Sequence, residues 1–179
     1  MRWGEVAGLH LEQVDLLHRR ITIDRNLVEV GGKFHKGPPK TKASLRQVTL
    51  PSSMVLEFEN HFRVNGTSKQ GLIVASGSGT YLRRSNFRRR VWLPAVQLAG
   101  LSPLRFHDLR HSHAALLIAQ GEHPKLIADR MGHASATVTM SIYAHLFPGL
   151  DEEAAERMDK ARRTWRSLKP LAWRPCCSS

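Results

Sequence analysis

Cysteine is almost missing from these 179 residues: the only two, Cys176 and Cys177, are neighbours near the C-terminus. Adjacent cysteines rarely meet disulfide geometry, and no C-x-x-C pair offers a zinc site, so a reducing, cytoplasmic setting is expected. Long apolar runs are missing too, so no membrane span is expected. No charged-then-apolar leader opens the chain, so nothing marks it for export. Histidine is plentiful, at ten residues. None is spaced with cysteine or a carboxylate as a ligand set, so no metal is expected. Tyrosine is scarce: Tyr81 and Tyr143 are the only two.

The most informative absence is of acid. Between Glu59 and Asp108 there is no Asp or Glu, while the same stretch holds Arg63, Lys69, Arg83, Arg84, Arg88, Arg89, Arg90 and Arg105. Over the whole chain 27 Lys and Arg face 15 Asp and Glu, a formal net charge of +12. A concentrated positive region on a chain of ordinary apolar content (41%) points to a polyanion, and nucleic acid is the usual one. Arginine dominates the central cluster, and guanidinium forks suit phosphate oxygens better than ammonium groups do. A basic surface kept for solubility is the plainer reading.

The length suits one domain with a real core. Residues 2–9 read as a short helix. Arg19 to Val30 alternate and are rich in Ile, Thr and Val, which predicts a strand broken by Gly31-Gly32 and Gly37-Pro38-Pro39. Leu45 to Leu50 reads as a second strand. Together they predict a small antiparallel sheet, with Lys40 and Lys42 in the connection. Ser52 is a candidate cap for a helix over 53–64. Ser85 to Leu98 reads as a helix with Phe87, Val91 and Leu98 inward, kinked at Pro94. Helices follow over His107 to Gln120, and from Pro124 to Met131, where Gly132 ends the helix. Ser135 is placed to cap a third piece carrying Tyr143. A last helix runs from about Asp151 to Leu168, acidic at its start and basic at its end, with Ala154, Met158, Ala161, Trp165 and Leu168 in one stripe. The fold class is α+β and mostly helical, with a domain over 1–166 and a loose tail over 167–179.

Several residues have the chemistry to handle a phosphate. His107 and Arg110, three apart on a helix, share a face, and His111 lies near it. His113 falls with Leu109 and Leu116 and reads as a satisfied core histidine. The left-handed turn at Gly132 would throw His133 outward. A tyrosine hydroxyl such as that of Tyr143 is a poor nucleophile at its free pKa of about 10. Arginines around a phosphate would stabilise its phenolate and polarise phosphorus. Taken singly, each residue reads as well as an ordinary structural one; Tyr143 alone is a half-buried aromatic.

Their order says more. Arg2 stands in Arg-Trp-Gly-Glu-Val-Ala-Gly-Leu, and Lys40 in Pro-Pro-Lys-Thr-Lys-Ala-Ser-Leu-Arg. Then come His107-Asp108-Leu109-Arg110-His111, Gly132-His133 and Ile142-Tyr143-Ala144-His145. This series resembles the tyrosine recombinases, the phage-type integrases, from Arg2 to about Asp159. Phe106-His107-Asp108-Leu109-Arg110-His111 and Tyr143-Ala144-His145-Leu146-Phe147-Pro148-Gly149 look especially like integrases of actinobacterial phages and mobile elements.

The resemblance implies the tyrosine-recombinase catalytic-domain fold and a set of roles. Arg2 and Arg110 would clamp the scissile phosphate. His107 and His133 would donate hydrogen bonds to it, with His107 helping to move the tyrosine proton. Lys40 would protonate the 5′-hydroxyl leaving group, with Lys42 the fallback, and Tyr143 would be joined to the 3′-phosphate. Such chemistry needs no metal and no nucleotide cofactor. Arg83, Arg84, Arg88, Arg89 and Arg90 match no catalytic motif and read as contacts to the DNA backbone. The expected partners are double-stranded DNA and further copies of the chain, as a tetramer on DNA. The last helix would cover its own core or dock on a neighbour.

Family members carry more helix and a separate domain ahead of the Arg2 motif. The chain therefore reads as N-terminally truncated, with weak DNA binding and little complete recombination expected of it alone. Residues 138–144 alternate like a strand, whereas the resemblance puts Tyr143 on a short helix. A type IB topoisomerase shares the tyrosine chemistry, but the integrase-like phrases favour a recombinase. A catalytically inactive DNA-binding remnant is the reading from a different class.

Overall fold

The computed structural model describes residues 1–39, 41–144 and 150–167. They form two units, one over 1–144 and one in the remainder, where a single helix, α8 (Leu150–Ser167), is described. Met158, in the expected stripe, is exposed. Leu168 and the 167–179 tail lie outside the described residues apart from Ser167.

The first unit opens with α1 (Trp3–Ala7). It rests directly on a strand, and glycine makes that possible. A Cβ on Gly4 would stand 2.3 Å from both the Asn26 side chain and the Leu27 carbonyl. This close seating fixes where Arg2, just ahead of α1, projects.

The single strand expected over 19–30 is two. β1 (Val14–Asp15) and β2 (Arg20–Ile23) join β5 (Arg46–Thr49) in an antiparallel sheet of order β1-β2-β5, with Ile21 opposite Val48. β3 (Asn26–Val30) pairs instead with β4 (Lys33–Gly37), a strand too polar to stand out in the sequence. The chain changes sheets at Asp24-Arg25, where the Gln13 amide donates to the Thr22 carbonyl and, at 2.7 Å, to Asp24. Gly31-Gly32, expected to end the strand, is a two-residue hairpin turn with both φ values positive.

Leu9, Ile21, Ile23, Leu50 and Ile73 form the core beside this sheet, covered by Val55, Phe58 and Phe62 of α2 (Ser52–Asn65). Pro51, not Ser52, precedes this helix as its cap residue, and the Ser52 hydroxyl accepts a hydrogen bond from Arg19 instead.

The helix expected over 85–98 is interrupted. α3 (Arg84–Phe87) runs into a wider π turn (Arg88–Trp92) and then α4 (Leu93–Leu98). Pro94 has no N–H to give the preceding turn, and the widened turn absorbs that loss. The faces are thereby re-phased: Val96 is buried, whereas Val91 and Leu98, expected inward, are exposed, Leu98 by 90%.

α5 (Asp108–Ala119), α6 (Pro124–Met131) and α7 (Ala136–Tyr143) follow the sequence reading closely. Ser135 caps α7 by accepting from the Val138 N–H, so helix wins over the alternating pattern. α6 is the hub, packing on α5, α7 and β5. On α5 the buried stripe is Arg110, Ala114 and Ile118, so Leu109 and Leu116, the proposed apolar neighbours of His113, are exposed. His113 is half-buried and satisfied, accepting from Arg130 at 3.1 Å. Among the described residues no helix is long and apolar enough to cross a membrane.

Ile127, fully buried on α6, tests this hub. Ile127→Ala should cost about 2–5 kcal/mol, read as a lower urea midpoint at unchanged slope.

Candidate active site

The site is built around the C-terminus of α6. A helix end leaves carbonyls without partners, and here arginines from other elements fill that role. Arg46 Nε donates to the Arg130 carbonyl at 3.0 Å, and Arg2 Nη2 to the Gly132 carbonyl at 3.0 Å. Between them, Arg110 Nη2 donates to the Met131 carbonyl. Three guanidiniums from β5, the residue before α1, and α5 are thus gathered on consecutive carbonyls.

Gly132 lets this happen. Its φ of 67° and ψ of 44° are the left-handed conformation that ends the helix. A Cβ there would stand 2.8 Å from Arg46 Nη1 and 3.3 Å from the Ala43 carbonyl.

Clustered cations need a counter-charge, and Glu5 of α1 supplies it. Its carboxylate is buried, accepting from Arg46 at 2.9 and 3.1 Å, from Arg2 Nη1 at 3.1 Å and from the Arg2 backbone N–H at 2.7 Å. Burial would raise its pKa, but these hydrogen bonds and charges more than offset it and hold the carboxyl at about 2. Neither Glu5 nor Arg46 was singled out from the sequence. The signal was present in Arg2-Trp3-Gly4-Glu5, a helix start with an acid placed to reach back to the first N–H.

Arg110 is the unusual member. It is 6% exposed, and its Nη1 is buried with no hydrogen-bond partner among the described residues. Burial, then the charge of Arg2, lowers its pKa to about 10, so it stays a cation at neutral pH. A buried guanidinium nitrogen without an acceptor is costly, and an arriving anion would satisfy it.

Tyr143, at the end of α7, is 4% exposed, more buried than expected, and its hydroxyl lies 2.7 Å from His111 Nδ1. Burial pushes the phenol pKa up, and the Arg110 charge works against that rise. His133 is half-buried rather than thrown outward, with Nδ1 2.8 Å from the Thr139 hydroxyl. Burial and the charges of Arg110, Arg2 and Arg46 lower its pKa to about 4, so it is neutral near pH 7. His107 is exposed, its ring edge-on to His111 at 5.0 Å. Burial of part of the ring, then His111 and Arg110, lowers its pKa. Asp108 is occupied by Arg105 at 2.8 Å. Lys40 lies outside the described residues, and Lys42 begins a 3-10 turn, Lys42–Ser44.

Beside Arg2 and His107 a cleft of about 890 Å³ opens against Trp3, Phe87 and Phe106, and Arg84 and Arg88 also line it. Arg84, Arg88, Arg89 and Arg90 are exposed, without an ion-pair partner among the described residues. Arg83 differs: it pairs with Glu29, donates to the Gly32 carbonyl at 2.9 Å and covers the Phe34 ring. That ties α3 to the β3–β4 hairpin. Among the described residues no three His, Cys, Asp or Glu side chains converge as metal ligands.

The sequence profile of the phage integrase family matches residues 1–149. The chain belongs to the phage integrase family. This integrase-family chain is 30% identical to the ICEBs1 integrase of Bacillus subtilis over 167 residues, which cover 89% of it and 45% of that protein. It is 27% identical over 169 residues to the integrase of Mycobacterium phage L5, covering 92% of this chain and 45% of that one. It therefore spans under half the length of these relatives. The Tn1549 transposon integrase, solved with circular intermediate DNA, superposes with a TM-score of 0.73 at 20% identity, over 88% of this chain and 56% of that one. XerA recombinase superposes at 0.59 and 21% identity, over 90% and 53%. The fold is the tyrosine-recombinase catalytic-domain fold expected from the sequence motifs.

The folded pKa of Glu5, about 2, lies below its ordinary value of 4.5, so its contribution to stability is complete above about pH 4.5 and fades as pH falls towards 2. Glu5→Gln should cost about 3–5 kcal/mol near neutrality, as for one partner removed from a buried ion pair. Denaturant titrations at several pH values should also show a weaker acid dependence in the variant.

Proposed function

We propose that this chain is the catalytic domain of a site-specific DNA recombinase of the integrase kind, cleaving and rejoining DNA through a 3′-phosphotyrosine intermediate. The observation that carries the reading is the buried, unsatisfied Nη1 of Arg110, in a site shared with Arg2 and the Tyr143 hydroxyl. Two guanidiniums held there suit the nonbridging oxygens of one phosphodiester. Charge developing on those oxygens in the transition state would meet fixed cations whose geometry is already set.

Arg2 and Arg110 clamp the scissile phosphate. The Tyr143 oxygen attacks phosphorus, and the bond to the 5′-oxygen breaks. Lys40 is assigned the leaving-group proton, and Lys42 is the alternative. His107 and His133 are assigned hydrogen bonds to the phosphate. His133 is suited to donate from a neutral ring, with Nε2 left over once Nδ1 meets Thr139. A second DNA end then attacks the phosphotyrosine, so the bond is exchanged without external energy.

The partner is double-stranded DNA. The Tn1549 integrase was solved with its DNA, and XerH site-specific recombinase with its difH substrate. Arg84, Arg88, Arg89 and Arg90 are suited to backbone phosphates, whereas Arg83 serves the hairpin. Residues 1–166 are proposed as the catalytic domain and 167–179 as a tail, with a homotetramer as the working assembly on DNA.

The test is a nicked suicide substrate bearing the element's attachment site. A detergent-stable protein–DNA adduct is expected, absent in Tyr143→Phe and formed at least about 100-fold more slowly in Arg110→Ala. DNA binding without any adduct would contradict the enzyme and support an inactive DNA-binding domain.

A further inference from the structure

We infer that His111, rather than His107, takes the phenolic proton from Tyr143 during attack and returns it when the phosphotyrosine is resolved. The inference rests on the recombinase reading and adds a catalytic residue to it.

The hydroxyl of Tyr143 is buried, and among the described residues His111 Nδ1, at 2.7 Å, is its hydrogen-bond partner. Imidazole nitrogen is a better acceptor than a phenol oxygen, so the phenol donates and His111 carries its own hydrogen on Nε2. The other candidates are worse placed. Arg110 has no lone pair to accept a proton. His133 Nδ1 is engaged with Thr139. His107 is exposed and has no hydrogen bond to Tyr143; its ring abuts His111 at 5.0 Å. Burial that holds the phenol protonated makes a neighbouring base necessary, and a base within hydrogen-bond reach is the geometry general-base transfer requires.

The Tyr143 O–H bond breaks as its oxygen bonds to phosphorus, and the proton goes to His111 Nδ1. The bond from phosphorus to the 5′-oxygen breaks, and that oxygen takes its proton from the general acid. The resulting imidazolium can release its Nε2 proton towards His107 and solvent. In rejoining, the phenolate leaves phosphorus and recovers a proton from His111 Nδ1. Because His111 follows Arg110 directly, phosphate clamp and proton acceptor share one turn of α5, so a shift of that turn moves both.

The experiment measures single-turnover adduct formation on suicide DNA, with either a normal scissile phosphate or a 5′-bridging phosphorothiolate, whose sulfur leaves without protonation. His111→Asn keeps an acceptor for the phenol but not a base. It should slow adduct formation by about 10²–10⁴-fold on both substrates. In folded His111→Ala, added imidazole should restore part of the rate, which a structural role would not allow. In the wild type, ¹⁵N resonances should show Nδ1 of His111 accepting a hydrogen bond that Tyr143→Phe removes. A wild-type rate in His111→Asn, or a defect that the phosphorothiolate cures, would overturn the assignment alone. No adduct from the wild type would overturn the recombinase reading and this assignment with it.

Discussion

Three carbonyl oxygens in a row, those of Arg130, Met131 and Gly132, hold Arg46, Arg110 and Arg2. The negative end of a helix dipole and its unpaired carbonyls make α6 a natural anchor for cations. The anchoring solves a problem of assembly: residues 2, 46 and 110 come from distant parts of the chain, yet the proposed phosphate site needs its donors within a few ångströms. One helix terminus sets their positions together. Gly132 is the hinge of the arrangement, because only a residue without a Cβ lets Arg46 pass so close beneath the turn.

Gathering cations costs energy through mutual repulsion and lost hydration. Glu5 offsets the cost for Arg2 and Arg46, each of which it accepts from directly. Among the described residues Arg110 receives no carboxylate, and one of its nitrogens has no partner. The imbalance is local and sits where an anion would complete it. Tyr143 joins the same site through α7, which packs on α6. The helix that holds the arginines therefore also supports Tyr143, and on the proposed function this links phosphate binding to attack.

Much of this is legible in the sequence. Helices with strong punctuation were read closely: Pro124 opens α6, Gly132 closes it, and Ser135 caps α7. The order of the motifs led to the family and fold. What failed depended on long-range pairing or a re-phased helix. Nothing local in Arg19 to Val30 says that the chain leaves one sheet for another at Asp24. Nothing in residues 85–98 says that Pro94 would be absorbed by a π turn, leaving Leu98 outside. Glu5 and Arg46 escaped notice because a buried ion pair across 41 residues has no sequence period. His111 was placed near the right face, but only the packing of α7 brings it to Tyr143. Lys40 and residues 145–149, which complete two of the motifs, lie outside the described residues.

On the proposed function, the α6 terminus holds Arg110 and Arg2 ready for a single oxyanion. Titrating inorganic phosphate into arginine-labelled protein, while following the guanidinium nitrogen resonances, tests it most directly. Arg110 and Arg2 should shift together and saturably. A response confined to Arg84, Arg88, Arg89 and Arg90, with Arg110 unmoved, would contradict it.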